Sequence, residues 1–304
     1  MIGRRRFLQI SAAALAARPG QAAAAEWQGM AFGAPARITL SGPRAQAEAA
    51  LAGVAARIAG IEGLCSLQRP ASALSRLNAS GACAGADPLL IGVLALAGQI
   101  HAATGGLFDP TVQPLWQALA RGEDPTPARA AVGWDRVRID AQAGAVRLAP
   151  GQALTLNGIA QGWAADLIRA DLAAAGFTRA LVDMGEVASL GGPFRLGLGD
   201  PDLGTFGTVT LTGTALATSS PGALWLGPGQ GHILGPRGEP ALWSTVTVEA
   251  DSAALADAAS TALCLAPREA VPAIAARLAA QDGRLRRIVA VTQEREVETL
   301  FTLG

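Results

Sequence analysis

Leu154-Thr-Leu-Asn-Gly-Ile-Ala-Gln-Gly-Trp-Ala-Ala-Asp166 reads as a short strand over 153–156, a turn through Gly158, and a helix over 159–175 that Gly176 ends. Another strand follows near 179–184. The neighbouring segments decide what fold this unit belongs to. Upstream, strands at 134–140 and 144–149 are separated only by a turn, as in a hairpin. Downstream come strands near 194–199, 206–212 and 245–249, and a terminal pair at 285–293 and 296–303. An opening strand is expected over 28–40. Helices are expected at 44–63, 88–103, 252–265 and 268–281, with a loop holding Pro70 and Asn78 between the first two. Glu123–Pro127 reads as a surface loop leading to a short helix. Strands outnumber helices, hairpins are frequent and helices are inserted between them. This predicts an α+β fold with mixed or antiparallel sheets rather than a doubly wound one.

The first residues read as an export signal. Arg4, Arg5 and Arg6 precede Phe7 and Leu8, a short apolar stretch runs from Ile10 to Ala17, and small residues fill Ala22–Ala25. Paired Arg before x-Phe-Leu resembles the twin-arginine signal. The expected organisation is therefore a signal over 1–25 and one functional domain over 26–304, exported to the periplasm. The apolar run is far below the roughly 20 residues of a membrane span, so no stable span is expected after cleavage.

The 304 residues carry 24 basic and 24 acidic side chains, and every basic one is Arg. Cleavage after Ala25 leaves 20 Arg against 24 acids, a net charge of −4. That disfavours nucleic acid as a partner. The lack of Lys excludes a P-loop lysine, a Schiff-base enzyme and a Ser-x-x-Lys hydrolase. Two His cannot build a His-rich metal site. Cys65, Cys83 and Cys264 are odd in number and form no C-x-x-C; one pair in an oxidising compartment, or three small buried residues, both fit.

Three segments can carry chemistry. Thr104-Gly-Gly-Leu-Phe-Asp-Pro-Thr-Val-Gln-Pro-Leu115 makes a rigid, non-helical turn whose amides and Asp109 can hold a polar ligand, or whose Asp109 simply caps the turn. In the segment quoted first, free amides at the helix start attract phosphate, or the Gly serves an ordinary connection. In Asp251-Ser-Ala-Ala-Leu-Ala-Asp-Ala-Ala-Ser-Thr-Ala-Leu263, Asp257 and Thr261 stand four residues apart on one helical face. Small neighbours make that face either an oxygen site for a hard cation such as Mg²⁺ or a plain solvated surface.

Taken in order, eight segments resemble the ApbE family, the FAD:protein FMN transferases, over essentially the whole exported chain. They are Phe32-Gly-Ala34, Arg69-Pro-Ala-Ser-Ala-Leu-Ser-Arg-Leu-Asn78, Gly106-Leu-Phe-Asp-Pro-Thr-Val112, Asn157-Gly-Ile-Ala-Gln-Gly-Trp163, Leu181-Val-Asp-Met-Gly185, Ala217-Thr-Ser219, His232-Ile-Leu-Gly-Pro-Arg237 and Ala254–Leu263. The resemblance implies two lobes around a flavin cleft. It implies an enzyme that uses FAD and Mg²⁺, joins FMN to a Thr or Ser of a periplasmic redox protein, and releases AMP. By position, the flavin is expected near Phe32, Gln68, Leu107, Phe108 and Asp109. Thr155 and Gln161 are expected on the nucleotide, with Ile233 and Leu234 nearby, and the Gly158 carbonyl, Asp257 and Thr261 on the metal. His232 is a candidate base by type only.

The chain departs from the family pattern at Gln68, where a flavin-stacking Tyr is usual, and at Ala71, Ala73, Thr155 and Gly235, each in place of an acid. The export signal and the Asn157-Gly-Ile-Ala-Gln-Gly162 form resemble a subgroup with NosX, an accessory protein of nitrous oxide respiration. That resemblance implies a NosR-like acceptor. It also keeps open a catalytically weakened, flavin-binding maturation protein. An unrelated exported solute-binding protein is the remaining alternative.

Overall fold

A computed structural model describes residues 24–280 and 284–303. The signal segment lies outside these residues except for Ala24 and Ala25, which open the first strand. Strands β1 (Ala24–Ala31) and β2 (Ala34–Ser41) form a hairpin in which Ala31 faces Ala34. A single strand over 28–40 is therefore not what forms. Phe32 and Gly33 both take positive φ, 53° and 82°, as a tight two-residue hairpin turn demands.

The helix expected over 44–63 is two, α1 (Arg44–Ala52) and α2 (Val54–Cys65), broken at Gly53. The loop expected around Asn78 is instead helix α3 (Ala73–Ser80), capped by Ser72 and ended by Gly81 at φ 74°. After β3 (Ala82–Cys83), α4 (Pro88–Ala103) forms with the predicted bounds. Asp87 caps it and Pro88 occupies the first helical position, where its missing N–H costs nothing.

The turn at 104–115 gives way to helix earlier than expected, because α5 (Gln113–Arg121) begins inside it. Next come α6 (Thr126–Ala131), β4 (Arg138–Asp140) and β5 (Ala145–Arg147); β3, β5 and β4 make a small antiparallel sheet. The two strands here are shorter than predicted, since Trp134–Arg136 form a single 3₁₀ turn. Residues 153–156 pair with no strand. Their backbone is held instead by Asn78, whose amide accepts from Leu154 N at 2.7 Å and donates to Leu154 O at 2.8 Å.

The remaining elements are α7 (Ala160–Ala174), β6 (Ala180–Asp183), β7 (Val187–Leu190), β8 (Phe194–Asp200), β9 (Gly204–Leu211) and β10 (Ala215–Ser219). They continue with β11 (Trp225–Gly227), β12 (Gln230–Gly231), β13 (Trp243–Ala250), α8 (Ala253–Leu263), α9 (Val271–Ala279), β14 (Leu285–Thr292) and β15 (Val297–Thr302). β7 and β10, which the sequence pattern does not announce, lie at the centre of an eight-stranded sheet ordered β1-β2-β6-β7-β10-β13-β14-β15. Its neighbours all pair antiparallel. The α+β class with antiparallel sheets is thus the observed one.

Helices α7 and α8 pack against each other and on the middle of this sheet. Every residue of α8 except Thr261 is buried, so its polar side faces the interior and not solvent. All three cysteines are free thiols. Burial pushes the Cys65 thiol up to about 12 and raises that of Cys264 as well. Among the described residues no helix is long and apolar enough to cross a membrane.

Candidate functional site

The crossing of α7 over α8 sets the site. Gly162 lies so close to the start of α8 that a Cβ there would stand 2.2 Å from the Ala253 carbonyl oxygen. One turn on, Asp166 caps α8, accepting from Ala253 N at 3.0 Å, Ala254 N at 2.9 Å and the Ser252 hydroxyl at 2.7 Å. The crossing carries Asp257 against the first turn of α7, where its Oδ2 accepts from Gly162 N at 3.1 Å. A turn further along α8, Thr261 meets Gly158. A Cβ on Gly158 would be 2.9 Å from Thr261 Oγ1 and 3.4 Å from the Phe108 ring. The Ser219 hydroxyl at the end of β10 lies 2.8 Å from that of Ser260 and 3.3 Å from Thr261 Oγ1. Gly158, Asp257 and Thr261 are thus brought together, with Phe108 beside them.

Asp257 is 4% exposed, and burial pushes its carboxyl up to about 7 against the opposing Gly162 hydrogen bond. Glu186, in the turn between β6 and β7, is 7% exposed, and its Oε2 accepts from Thr218 N at 3.1 Å. Its carboxyl is held well above the usual range, first by burial and then by the charge of Asp257. Among the described residues neither carboxylate joins an ion pair. Two buried acids with no basic partner among the described residues are costly when ionised, so they hold a proton or take a cation. The remaining donors are a hydroxyl and a glycine carbonyl, so the set suits a hard cation. Asp183, a half-buried carboxyl, also raises Glu186, and among the described residues no group of three or more His, Cys, Asp or Glu is arranged to hold a metal ion.

Glu186 is the residue that sequence reasoning misses, since the motif Leu181–Gly185 ends one position before it. The available signal was a second carboxylate, three residues after Asp183, in the mostly apolar stretch Ala180–Leu190.

The helix-start amides expected to attract phosphate are largely engaged within the protein. Ile159 N and Ala160 N donate to Leu156 O, and Gly162 N donates to Asp257. Gln161 reaches the other way, its side-chain amide donating to Met184 O at 2.8 Å. Thr155 N donates to Pro110 O at 2.8 Å, and its hydroxyl accepts from Asn157 N at 3.1 Å.

The turn beside this site is rigid. Gly105 and Gly106 have φ of 63° and 85°, Phe108 N donates to the Thr104 hydroxyl, and Phe108 O lies 2.9 Å from His101 Nδ1. Leu107 and Phe108 are buried. Asp109 accepts from Thr111 N at 2.8 Å, from the Thr111 hydroxyl at 2.6 Å and from Trp134 N at 3.3 Å. Its carboxylate therefore holds the turn, which is the capping role the sequence also allowed.

A model of the ApbE family matches residues 32–283. The chain belongs to the ApbE family. A Rhodobacter capsulatus protein named FAD:protein FMN transferase is 32% identical over 246 residues, covering 73% of this chain and 46% of that protein. The chain thus spans about half the length of the curated relative it matches. The fold agrees with the ApbE protein of Thermotoga maritima MSB8, with a TM-score of 0.80 at 22% identity over 91% of this chain and 97% of that one. It agrees also with apo Pseudomonas stutzeri flavinyl transferase ApbE, at 0.77 and 23% over 93% and 97%.

The departures from the ApbE pattern have physical correlates. Gln68 is exposed in the turn after α2, and its N donates to the Ser66 hydroxyl. The neighbouring Arg69 pairs with Glu62, whose other oxygen accepts from Phe32 N at 2.6 Å, so this turn and the β1–β2 turn are tied together. At Gly235 a Cβ would stand 2.3 Å from the Glu239 carbonyl oxygen and 2.5 Å from Glu239 N. The folded-back backbone occupies the space an Asp side chain would need. Ile233 and Leu234 beside it are buried, and Ile233 shares a core cluster with Leu107 and Phe108. Arg237 ties the same loop to the Gly105 carbonyl at 3.1 Å. His232 is half-buried, which lowers its basicity, with Nδ1 3.1 Å from Pro221 O.

Proposed function

We propose that this ApbE-family chain is a FAD:protein FMN transferase that works with Mg²⁺ in the periplasm. The observation that carries the reading is the buried Asp257 carboxylate, without a basic partner among the described residues, on the face of α8 that carries Thr261 against Gly158 and the Phe108 ring. Asp257, the Thr261 hydroxyl and the Gly158 carbonyl would hold the ion. When bound, Mg²⁺ supplies neutralising charge for the pyrophosphate oxygens as a P–O bond breaks. The chain's own residues position the groups. The buried Leu107–Phe108 turn, with Ile233 and Leu234, offers an apolar wall for the flavin end. Thr155 would contact the nucleotide, and Gln161, whose side-chain nitrogen is engaged by Met184 O, would do so through its amide oxygen.

In the reaction, the hydroxyl oxygen of an acceptor Thr or Ser bonds to the FMN-side phosphorus. The bond from that phosphorus to the bridging oxygen breaks, AMP leaves with that oxygen, and the hydroxyl proton is released. The twin-arginine start supports export. A flavin-acceptor redox protein, NosR-like in the subgroup reading, is the proposed partner. Gln68 and the filled space at Gly235 favour a second reading, a NosX-like accessory protein that binds flavin with weakened catalysis.

The test is incubation of the chain with FAD, Mg²⁺ and the cognate acceptor domain. Covalent FMN on the acceptor together with free AMP is expected. FAD binding without transfer supports the accessory reading, and neither binding nor transfer overturns both.

A further inference from the structure

Three hydroxyls meet at the end of β10. Ser219 Oγ lies 2.8 Å from Ser260 Oγ and 3.3 Å from Thr261 Oγ1. Ser260 in turn donates to the Asp257 carbonyl oxygen at 2.9 Å. Each hydroxyl has one proton, and a carbonyl oxygen only accepts. One arrangement satisfies all three contacts. Ser260 spends its proton on Asp257 O, so it accepts from Ser219. Ser219 has then spent its own proton, so it accepts from Thr261. The protons all point one way, from Thr261 through Ser219 and Ser260 to Asp257 O. A helical Thr hydroxyl can instead donate to the carbonyl four residues back, which here is the same Asp257 O; Ser260 donates there in its place. Thr261 Oγ1 accepts no hydrogen bond from any described residue, so its lone pairs are unclaimed. Ser219 itself is pinned. Its backbone pairs opposite Val246 of β13, and Cys264 Sγ donates to its carbonyl at 3.5 Å. The hydroxyl string thus begins and ends on the two α8 residues read as cation ligands, with its middle member on another element.

We propose that Ser219 is a positioning residue of the cation site: by taking the Thr261 proton, it turns that hydroxyl so that Oγ1 offers only lone pairs to a divalent ion. This rests on the reading of Thr261 as a cation ligand. A hard cation is held by oxygen lone pairs, and a hydroxyl whose proton faced the ion would repel it. Ser219 acts through Thr261 and is not itself a ligand. Groups that fix the orientation of a ligand in this way raise metal affinity without touching the metal.

The test uses the full chain without FAD, with Mn²⁺ as probe and ADP present, the free Mn²⁺ being read by electron paramagnetic resonance. Wild type is compared with Ser219→Ala, Ser260→Ala, Thr261→Val and the double variant Ser219→Ala/Thr261→Val. Thermal unfolding of the metal-free proteins confirms that each is folded. Ser219→Ala is expected to weaken Mn²⁺ binding about tenfold. Ser260→Ala is expected to weaken it too, because the Ser219 proton is then free to turn onto Thr261 Oγ1. In the Thr261→Val background, Ser219→Ala is expected to change nothing further, since the two side chains act as one unit. Wild-type affinity in Ser219→Ala, or in Ser260→Ala where Ser219→Ala does not fold, would overturn the proposal. So would an equal further loss in the double variant, which would show that Ser219 does not act through Thr261. Wild-type affinity in Thr261→Val, or absence of Mn²⁺ binding to wild type, would instead overturn the reading of Thr261 as a ligand.

Discussion

Asp109 and Asp257 are both buried aspartates in ApbE-type motifs, yet the protein uses them in opposite ways. Asp109 accepts three hydrogen bonds from Thr111 and Trp134 and closes its own turn. Asp257 accepts one, from Gly162 N, and its charge raises the carboxyl of a second buried acid, Glu186. A satisfied carboxylate stabilises the structure around it. An under-satisfied one beside a like charge costs stability unless a ligand completes it. Burial alone therefore does not single out the proposed cation ligand; its shortage of hydrogen-bond partners does.

The largest expected effect comes from Asp257→Asn. Its FMN transfer should fall by about 1000-fold, the scale of losing a charge group that acts on the transition state, while the metal-free fold is kept. AMP release and thermal unfolding measure the two. Retained activity would erase the contrast with Asp109. The converse change, Asp109→Ala, leaves the Thr111 and Trp134 donors unpaired in a buried turn and should lower stability by about 2–3 kcal/mol, read by urea unfolding. A neutral result would mean that the turn does not need its cap.

The contrast also has a pH signature. The Asp257 carboxyl is raised in the folded chain, to about 7, and that of Glu186 is raised too. The folded state then binds protons more tightly than the unfolded one. The stability this provides is full below the ordinary carboxylate range and is lost as pH rises through about 7. The metal-free Tm should accordingly fall between about pH 5 and 8, and the slope should flatten in Asp257→Asn. A Tm that climbs over that range contradicts it. The smallest expected effect is at the flavin end, where Gln68→Tyr should tighten FAD binding by about 1 kcal/mol, the scale of one aromatic contact. Fluorescence titration checks it; unchanged affinity would place Gln68 away from the flavin.

How far the sequence could be read follows from how local each signal is. α4 is legible to its ends because Asp87, Pro88 and the Gly105–Gly106 stop are adjacent in sequence to its apolar stripe. The break at Gly53 is not, since apolar spacing continues across it from Leu51 to Val54. β10, Ala215-Leu-Ala-Thr-Ser219, hides because it has little of the β-branched and aromatic character that marks strands, yet it sits at the sheet centre. The burial of all of α8 but Thr261 is equally hidden: its alanines are small enough to pack on every side. Asp257, Thr261 and Gly158 could be grouped only through the order of motifs, whereas Glu186 acquires meaning from an acid far along the chain that no local pattern connects to it.

The central claim is that the Asp257 carboxylate awaits a divalent cation. The most direct measurement is anomalous diffraction from crystals of the chain soaked in Mn²⁺ with ADP. The account predicts one peak bonded to the Asp257 carboxylate and Thr261 Oγ1, beside the Gly158 carbonyl. No peak there, or a peak on Asp109 instead, would contradict it.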